Sequence, residues 1–164
     1  MQLRKDTTYM DQKLSSTNNH DRATNLRQCL LRASRCVNVI IVDSLHQRGF
    51  TSLRSTHTAL LSNLDLEGSS LTLVSQRAGI TKQAMGRLAD ELVKLKYVTR
   101  TLNNNDKRSV IIKFTPAGLE LMSYSFRIME ELESRCAHRL GANRFKKFIT
   151  SLQEITKELE NLPE

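Results

Sequence analysis

The stretch ITKQAMGRLADELVKLKYVTR, Ile80 to Arg100, gathers cationic and hydrogen-bonding side chains at helical spacing. Thr81, Lys82, Gln83, Gly86 and Arg87 share one face, opposite an apolar face of Ala84, Met85, Leu88, Leu92 and Leu95. Lysine and arginine can neutralise phosphate or reach guanine, and glutamine can bridge N6 and N7 of adenine. Glycine inside a helix costs about 0.5–1 kcal/mol relative to alanine. Close docking of the backbone at Gly86 is one way to offset that cost. A major groove, about 12 Å wide, admits a single helix led by its N-terminal turn. The chemistry open to these residues is recognition of a duplex polyanion.

Covalent chemistry finds no such cluster. The chain has no phosphate-cradling glycine loop, no HExxH, no CxxC and no nucleophile elbow. His20, His46, His57 and His138 lack metal-ligand spacing. The expectation is a non-enzyme without cofactor or metal. Cys29, Cys36 and Cys136 form no close pair, which suits a reducing, cytoplasmic setting better than a disulfide scaffold. Cys29 and Cys36 lie two helical turns apart, about 10 Å, too far to bond within one helix. No secretory signal is expected, and apolar clusters such as VNVIIVDSL are too short to span a bilayer, so no membrane partner is expected.

Charge points the same way as the face of Lys82 and Arg87. The net charge is +8, with an isoelectric point near 9.7. Between Arg77 and Arg108 stand eight Lys/Arg against three acids; from Ala117 to Glu164 the balance is seven against eight. A merely basic protein would not segregate its charge so.

The elements that must hold this face follow from periodicity and punctuation. Residues 1–22 are polar and read as a flexible arm. From Thr24 to about Gln47, Leu26, Cys29, Ala33, Cys36 and Ile40 recur at steps of three and four, widened by Leu30, Val37 and Ile41; Gly49 ends that helix. A second helix is expected after Ser52, with Leu53, Leu60, Leu61 and Leu64 inward, and His57 falls on its apolar stripe. Gly68 then supplies a turn and Ser70 an N-cap for a short helix ending at Gly79. Thr81 caps the helix of the opening stretch, 81–95. Tyr97–Thr101 and Ser109–Phe114 read as the strands of a hairpin, with LNNNDKR at its tip and Val110, Ile112 and Phe114 on one face. Thr115-Pro116 opens a long helix whose seam is Leu119, Met122, Phe126, Met129, Cys136 and Leu140. At about 1.5 Å per residue it would span about 37 Å, more than a core of this size needs, so part of its seam is expected to meet a partner chain. After Gly141, Asn143 is a candidate cap for a last helix carrying Phe145, Phe148, Ile149, Leu152, Ile155 and Leu159.

Helix, helix with glycine in the turn, helix, hairpin is the order of a winged helix-turn-helix. The expected fold is mostly α with a small β-hairpin wing. Its winged helix-turn-helix domain, 52–116, sits within a helical dimerisation domain of 23–51 and 117–164. LTLVSQRAGITKQAMGRLADELVKLKYVTR resembles the helix-turn-helix of the MarR family of transcription regulators. NNNDKRSVIIKFTPAG resembles its wing, with Asp-x-Arg at Asp106 and Arg108 and Thr-x-x-Gly at Thr115 and Gly118.

That resemblance implies a homodimer and a double-stranded, pseudo-palindromic DNA operator. It implies helix 81–95 in the major groove and the wing, 97–114, at the minor groove or its phosphates through Lys107 and Arg108, with Asp106 steadying the tip. It further implies a repressor released by a small-molecule effector, with His57 a candidate for lining the effector pocket; a hydrogen-bonded core histidine is the plainer alternative. Oxidation-sensing relatives make Cys29 a candidate redox site, although HQRGFTSLRSTHTALL lacks the tyrosines expected to activate that thiol. A winged-helix protein–protein adaptor is the other alternative.

Overall fold

The computed structural model describes residues 25–102 and 109–161. The chain divides into two compact units between Ile40 and Ile41, within the first helix. Helix α1 is Leu26–His46. Asn25 starts it, its side-chain oxygen accepting from the Gln28 N–H at 3.0 Å. Along its first part Leu26, Leu30, Leu31, Val39 and Ile40 are exposed.

In the second unit, α1 stops at His46 and the turn after it closes on Gly49, whose φ of +97° only glycine adopts without cost. A 3-10 turn, Ser55–His57, and a single helical turn, α2 (Thr58–Leu61), follow. The longer second helix expected from Ser52 is therefore corrected to these two short pieces. Local hydroxyls compete for its backbone: Thr58 Oγ1 donates to Ser55 O and Ser62 Oγ to Thr58 O, each at 2.6 Å. Its apolar residues are nonetheless inward, since Leu53, Leu60, Leu61 and Leu64 are all buried.

Strand β1 (Ser69–Ser70), α3 (Leu71–Arg77), α4 (Lys82–Lys94), β2 (Val98–Leu102) and β3 (Val110–Phe114) complete the winged segment. The three strands are antiparallel in the order β1-β3-β2. Val98 pairs with Phe114 and Leu102 with Val110; Ser69 pairs with Ile112. Ile112 and Phe114 are buried and Lys113 between them is exposed, the alternation of a half-buried strand. Strand β1 had no sequence signal, for two serines carry no periodicity.

Both helices α3 and α4 end in the same hydrogen-bonded turn. After α3, Gly79 N–H donates to Gln76 O and Ile80 N–H to Ser75 O, with Gly79 at φ +64°. After α4, Lys96 N–H donates to Val93 O and Tyr97 N–H to Leu92 O, with Lys96 at φ +62°. A lysine thus occupies a left-handed position normally given to glycine.

Helix α5 (Pro116–Leu140) is capped by Thr115, whose Oγ1 accepts from Gly118 N–H at 3.0 Å and donates to Lys96 O at 2.6 Å. Helix α6 is Ala142–Glu160. Asn143 is not its cap, as had been expected. Gly141, at φ +88°, makes the break in one residue and leaves Asn143 already inside the helix.

The core joins Leu60, Val74, Met85, Ala89, Leu92, Val98, Ile112 and Leu121, each at most 1% exposed. Burying one leucine of this kind contributes about 1.5–3 kcal/mol. Phe50 adds an aromatic cluster, 6.0 Å from Tyr97 and 5.7 Å from Tyr124 between ring centres. Helix α5 divides the seam read from its sequence. Of that seam Met122 is buried, Met129 and Cys136 are half-buried, and Leu119, Phe126 and Leu140 are exposed; the other buried side chains of α5 include Leu121 and Ile128, which the seam did not contain. On α6 no residue is buried, and Phe148, Ile155 and Leu159 stand exposed.

Candidate nucleic-acid interface

Helix α4 carries most of the candidate site. Thr81 adopts extended backbone and its side chain accepts from Ala84 N–H at 3.1 Å, satisfying one of the donors left open at a helix start. Met85, Ala89 and Leu92 form its buried stripe. Ala84, expected to be buried, is exposed; the buried stripe runs Met85, Ala89, Leu92 at steps of four and three, and Ala84 lies about 100° round the helix from Met85. Thr81, Lys82, Gln83, Arg87 and Lys94 are exposed. Gly86 is half-buried on the flank of this face, and a Cβ there would stand 3.9 Å from Leu71 Cδ2, ordinary contact. Packing within the chain therefore leaves room for alanine at Gly86.

Ion pairs sort the cations. Arg77 is held by Asp65 Oδ1 at 2.8 Å, and Ser69 Oγ donates to Asp65 Oδ2 at 2.6 Å. These two partners, Ser69 first, hold the Asp65 carboxyl below its usual range. Arg100 on β2 pairs with Asp90 on α4. Arg54 pairs with Glu91. Among the described residues Lys82, Arg87 and Lys94 enter no ion pair, so their charge faces outward uncompensated.

Residues Asp106, Lys107 and Arg108, and the rest of the hairpin tip, lie outside the described residues, as does the arm. His57 is buried at 1% exposure. Its Nδ1 accepts from Arg54 N–H at 3.1 Å and its Nε2 lies 2.9 Å from Glu91 Oε2. Both ring nitrogens are thus engaged within the protein. Cys29 and Cys36 are exposed and Cys136 is half-buried. Among the described residues no cluster of three or more His, Cys, Asp or Glu could hold a metal ion. No helix among them is long and apolar enough to cross a membrane. Arg54, Asp90, Glu91 and Arg100 were missed as partners at the sequence level; pairs 10 to 37 residues apart leave no local pattern.

The helix-turn-helix and its hairpin define a winged-helix protein, and residues 51–109 match the model of the MarR family. That match falls on the winged segment of the chain. No curated protein matches the chain. A MarR transcriptional regulator from Methanosarcina mazei Go1 has the same fold, with a TM-score of 0.73 at 18% identity over 84% of this chain and 98% of its own. A MarR-family transcriptional regulator from Rhodococcus sp. RHA1 gives 0.64 at 22% identity, over 80% and 95%. CouR from Rhodococcus jostii RHA1, solved with p-coumaroyl-CoA bound, gives 0.65 at 21% identity, over 87% and 97%.

Proposed function

We propose that this chain is a cytoplasmic transcription regulator, a repressor that binds a pseudo-palindromic duplex operator as a homodimer. Helix α4 enters the major groove, and the wing, through Lys107 and Arg108, follows the minor groove or its phosphates. The observation that carries this reading is the outward face of α4. Lys82 and Arg87 are exposed cations without an acidic partner among the described residues, beside an exposed Gln83 and at the helix's N-terminal end. Cations left uncompensated in this way attract phosphate, and the glutamine adds a base-reading group.

A second copy supplies what the single chain lacks. Leu119, Phe126 and Leu140 on α5, and Phe148, Ile155 and Leu159 on α6, are large apolar side chains left in water. The exposed Leu26, Leu30 and Leu31 of α1 offer a further apolar strip. Dimerisation through such faces sets two recognition helices one duplex turn apart, about 34 Å. The effector class to screen is a small organic ligand, since CouR holds one of that kind.

Incubating the protein with a pool of random duplexes and sequencing what it retains tests this reading. An enriched inverted repeat, bound more weakly as salt rises, is the expected result. A pool that emerges unenriched overturns it. The exposure of Cys29 keeps redox sensing as a second reading; slow reaction of every cysteine with a thiol reagent at neutral pH excludes it.

A further inference from the structure

His57 poses a question that packing does not answer. It is 1% exposed inside a largely apolar core, where a phenyl ring of similar shape would pack without any polar group to satisfy. Its Nδ1 accepts the Arg54 backbone N–H, so the proton of the neutral ring sits on Nε2. That N–H points at Glu91 Oε2, 2.9 Å away, and the Arg54 guanidinium grips the same oxygen. The turn that precedes α2 therefore reaches across 34 residues of sequence to hold the recognition helix by one carboxylate.

We propose that His57 and Glu91 are positioning residues for sequence readout, fixing the rotational setting of α4; this rests on the DNA-binding reading above. The apolar stripe of Met85, Ala89 and Leu92 presses α4 onto the core, but apolar contact is non-directional and leaves rotation about the helix axis weakly defined. Glu91 and Asp90 are adjacent and so project about 100° apart around the helix. The first is tied to the 3-10 turn and the second to Arg100 of the wing strand. Two ties on different sides of one helix set its angle. Base-edge contacts by Gln83 demand positions accurate to about 0.5 Å, whereas attraction to phosphate tolerates more. A loosened α4 loses discrimination before it loses affinity for DNA in general.

The experiment compares wild type, His57→Phe, His57→Gln and Glu91→Ala on two duplexes of equal length. One is the sequence that wild type enriches from a random pool and the other is unrelated; unfolding is measured alongside. Glu91 is partly exposed and alanine favours helix, so Glu91→Ala keeps the test open if His57→Phe fails to fold. Expected are an affinity about tenfold lower for the enriched duplex in His57→Phe and Glu91→Ala, unchanged affinity for the unrelated one, and an unchanged salt slope. His57→Gln, whose amide can donate to Glu91 and accept from Arg54, should regain most of the loss. Retention of the wild-type ratio between duplexes by Glu91→Ala overturns the proposal, as does an equal fall on both duplexes that tracks the folded fraction. A wild type that enriches no sequence overturns the DNA-binding reading and this inference with it.

Discussion

Gly118, in the first turn of α5, passes so close to Tyr97, the residue before β2, that a Cβ at Gly118 would lie 1.9 Å from the Tyr97 carbonyl oxygen. The atom it would strike is backbone, and it is already committed as the acceptor of Thr115 N–H at 3.0 Å. Neither partner can yield without opening the junction between wing and long helix. Gly118→Ala is therefore expected to destabilise the fold by about 3 kcal/mol or to prevent folding, since overpacking against fixed atoms costs at least 1–3 kcal/mol. Denaturant unfolding of the purified variant measures this. An unchanged midpoint contradicts the close approach.

Gly86 makes the opposite case. A methyl there meets only Leu71 Cδ2 at 3.9 Å, so the fold accommodates it. Gly86→Ala should raise stability by about 0.5–1 kcal/mol, because alanine restricts the unfolded chain and suits a helix interior. If groove docking is what keeps glycine at this position, the same variant binds the enriched duplex more weakly. Thermal unfolding and a gel shift on one preparation read both quantities.

Lys82 and Arg87 should act on DNA and not on folding. Each is exposed, and none of the described ion pairs depends on either. Lys82→Ala and Arg87→Ala are expected to leave the unfolding transition within about 0.5 kcal/mol of wild type. A variant that loses a phosphate contact should show a salt slope of log K shallower by about 0.9. Titrations at several salt concentrations decide it, and binding equal to wild type removes the residue from the interface.

Lys96 carries a left-handed backbone at φ +62° at the end of α4. Its N–H and carbonyl are both used, by Val93 O and by Thr115 Oγ1, and glycine would keep both bonds. Lys96→Gly should stabilise the protein by about 0.5–1 kcal/mol, the relief of strain exceeding the entropy that glycine adds to the unfolded chain. A lower unfolding midpoint in the variant would show that the lysine side chain contributes more than the strain costs.

Acid should weaken the junctions around α4. His57 first, then Arg54, hold the Glu91 carboxyl below its ordinary value of 4.5, and Ser69 and Arg77 hold Asp65 below 3.8. A carboxylate with a lowered folded-state pKa stabilises the fold fully above its unfolded value. That contribution fades as pH falls through the folded value. Stability should thus decline from about pH 4.5 downward, and Glu91→Gln together with Asp65→Asn should flatten the decline. Unfolding curves across that range check the sign.

How much of this was legible before folding depends on the range of the interaction. Thr81 and Ser70 announce their helices because a cap acts over three residues. Gly79 marks its turn because the left-handed backbone is local. The hairpin strands emerged to within a residue, since alternation has a period of two. Interactions between distant segments left no such trace. Ser69 and Ser70 become a strand only because β3 offers them partners. The second helix was overestimated because its apolar spacing continued past the point where local hydroxyls take the backbone. Ala84 reads as inward because it stands four residues from Leu88 and eight from Leu92, whereas the fold covers the neighbouring line of Met85, Ala89 and Leu92.

For the site, the cationic face of α4 needed no tertiary information. Its spacing is a property of the helix, and the segregation of charge can be counted along the chain. What folding alone decided is which charges are spent within the chain and which remain available. Arg54, Arg77 and Arg100 look like Lys82 and Arg87 as letters, yet each lies against an acid that the chain brings from 10 to 37 residues away. Helical periodicity is set within a few residues by the backbone, whereas charge pairing is set by packing across the fold.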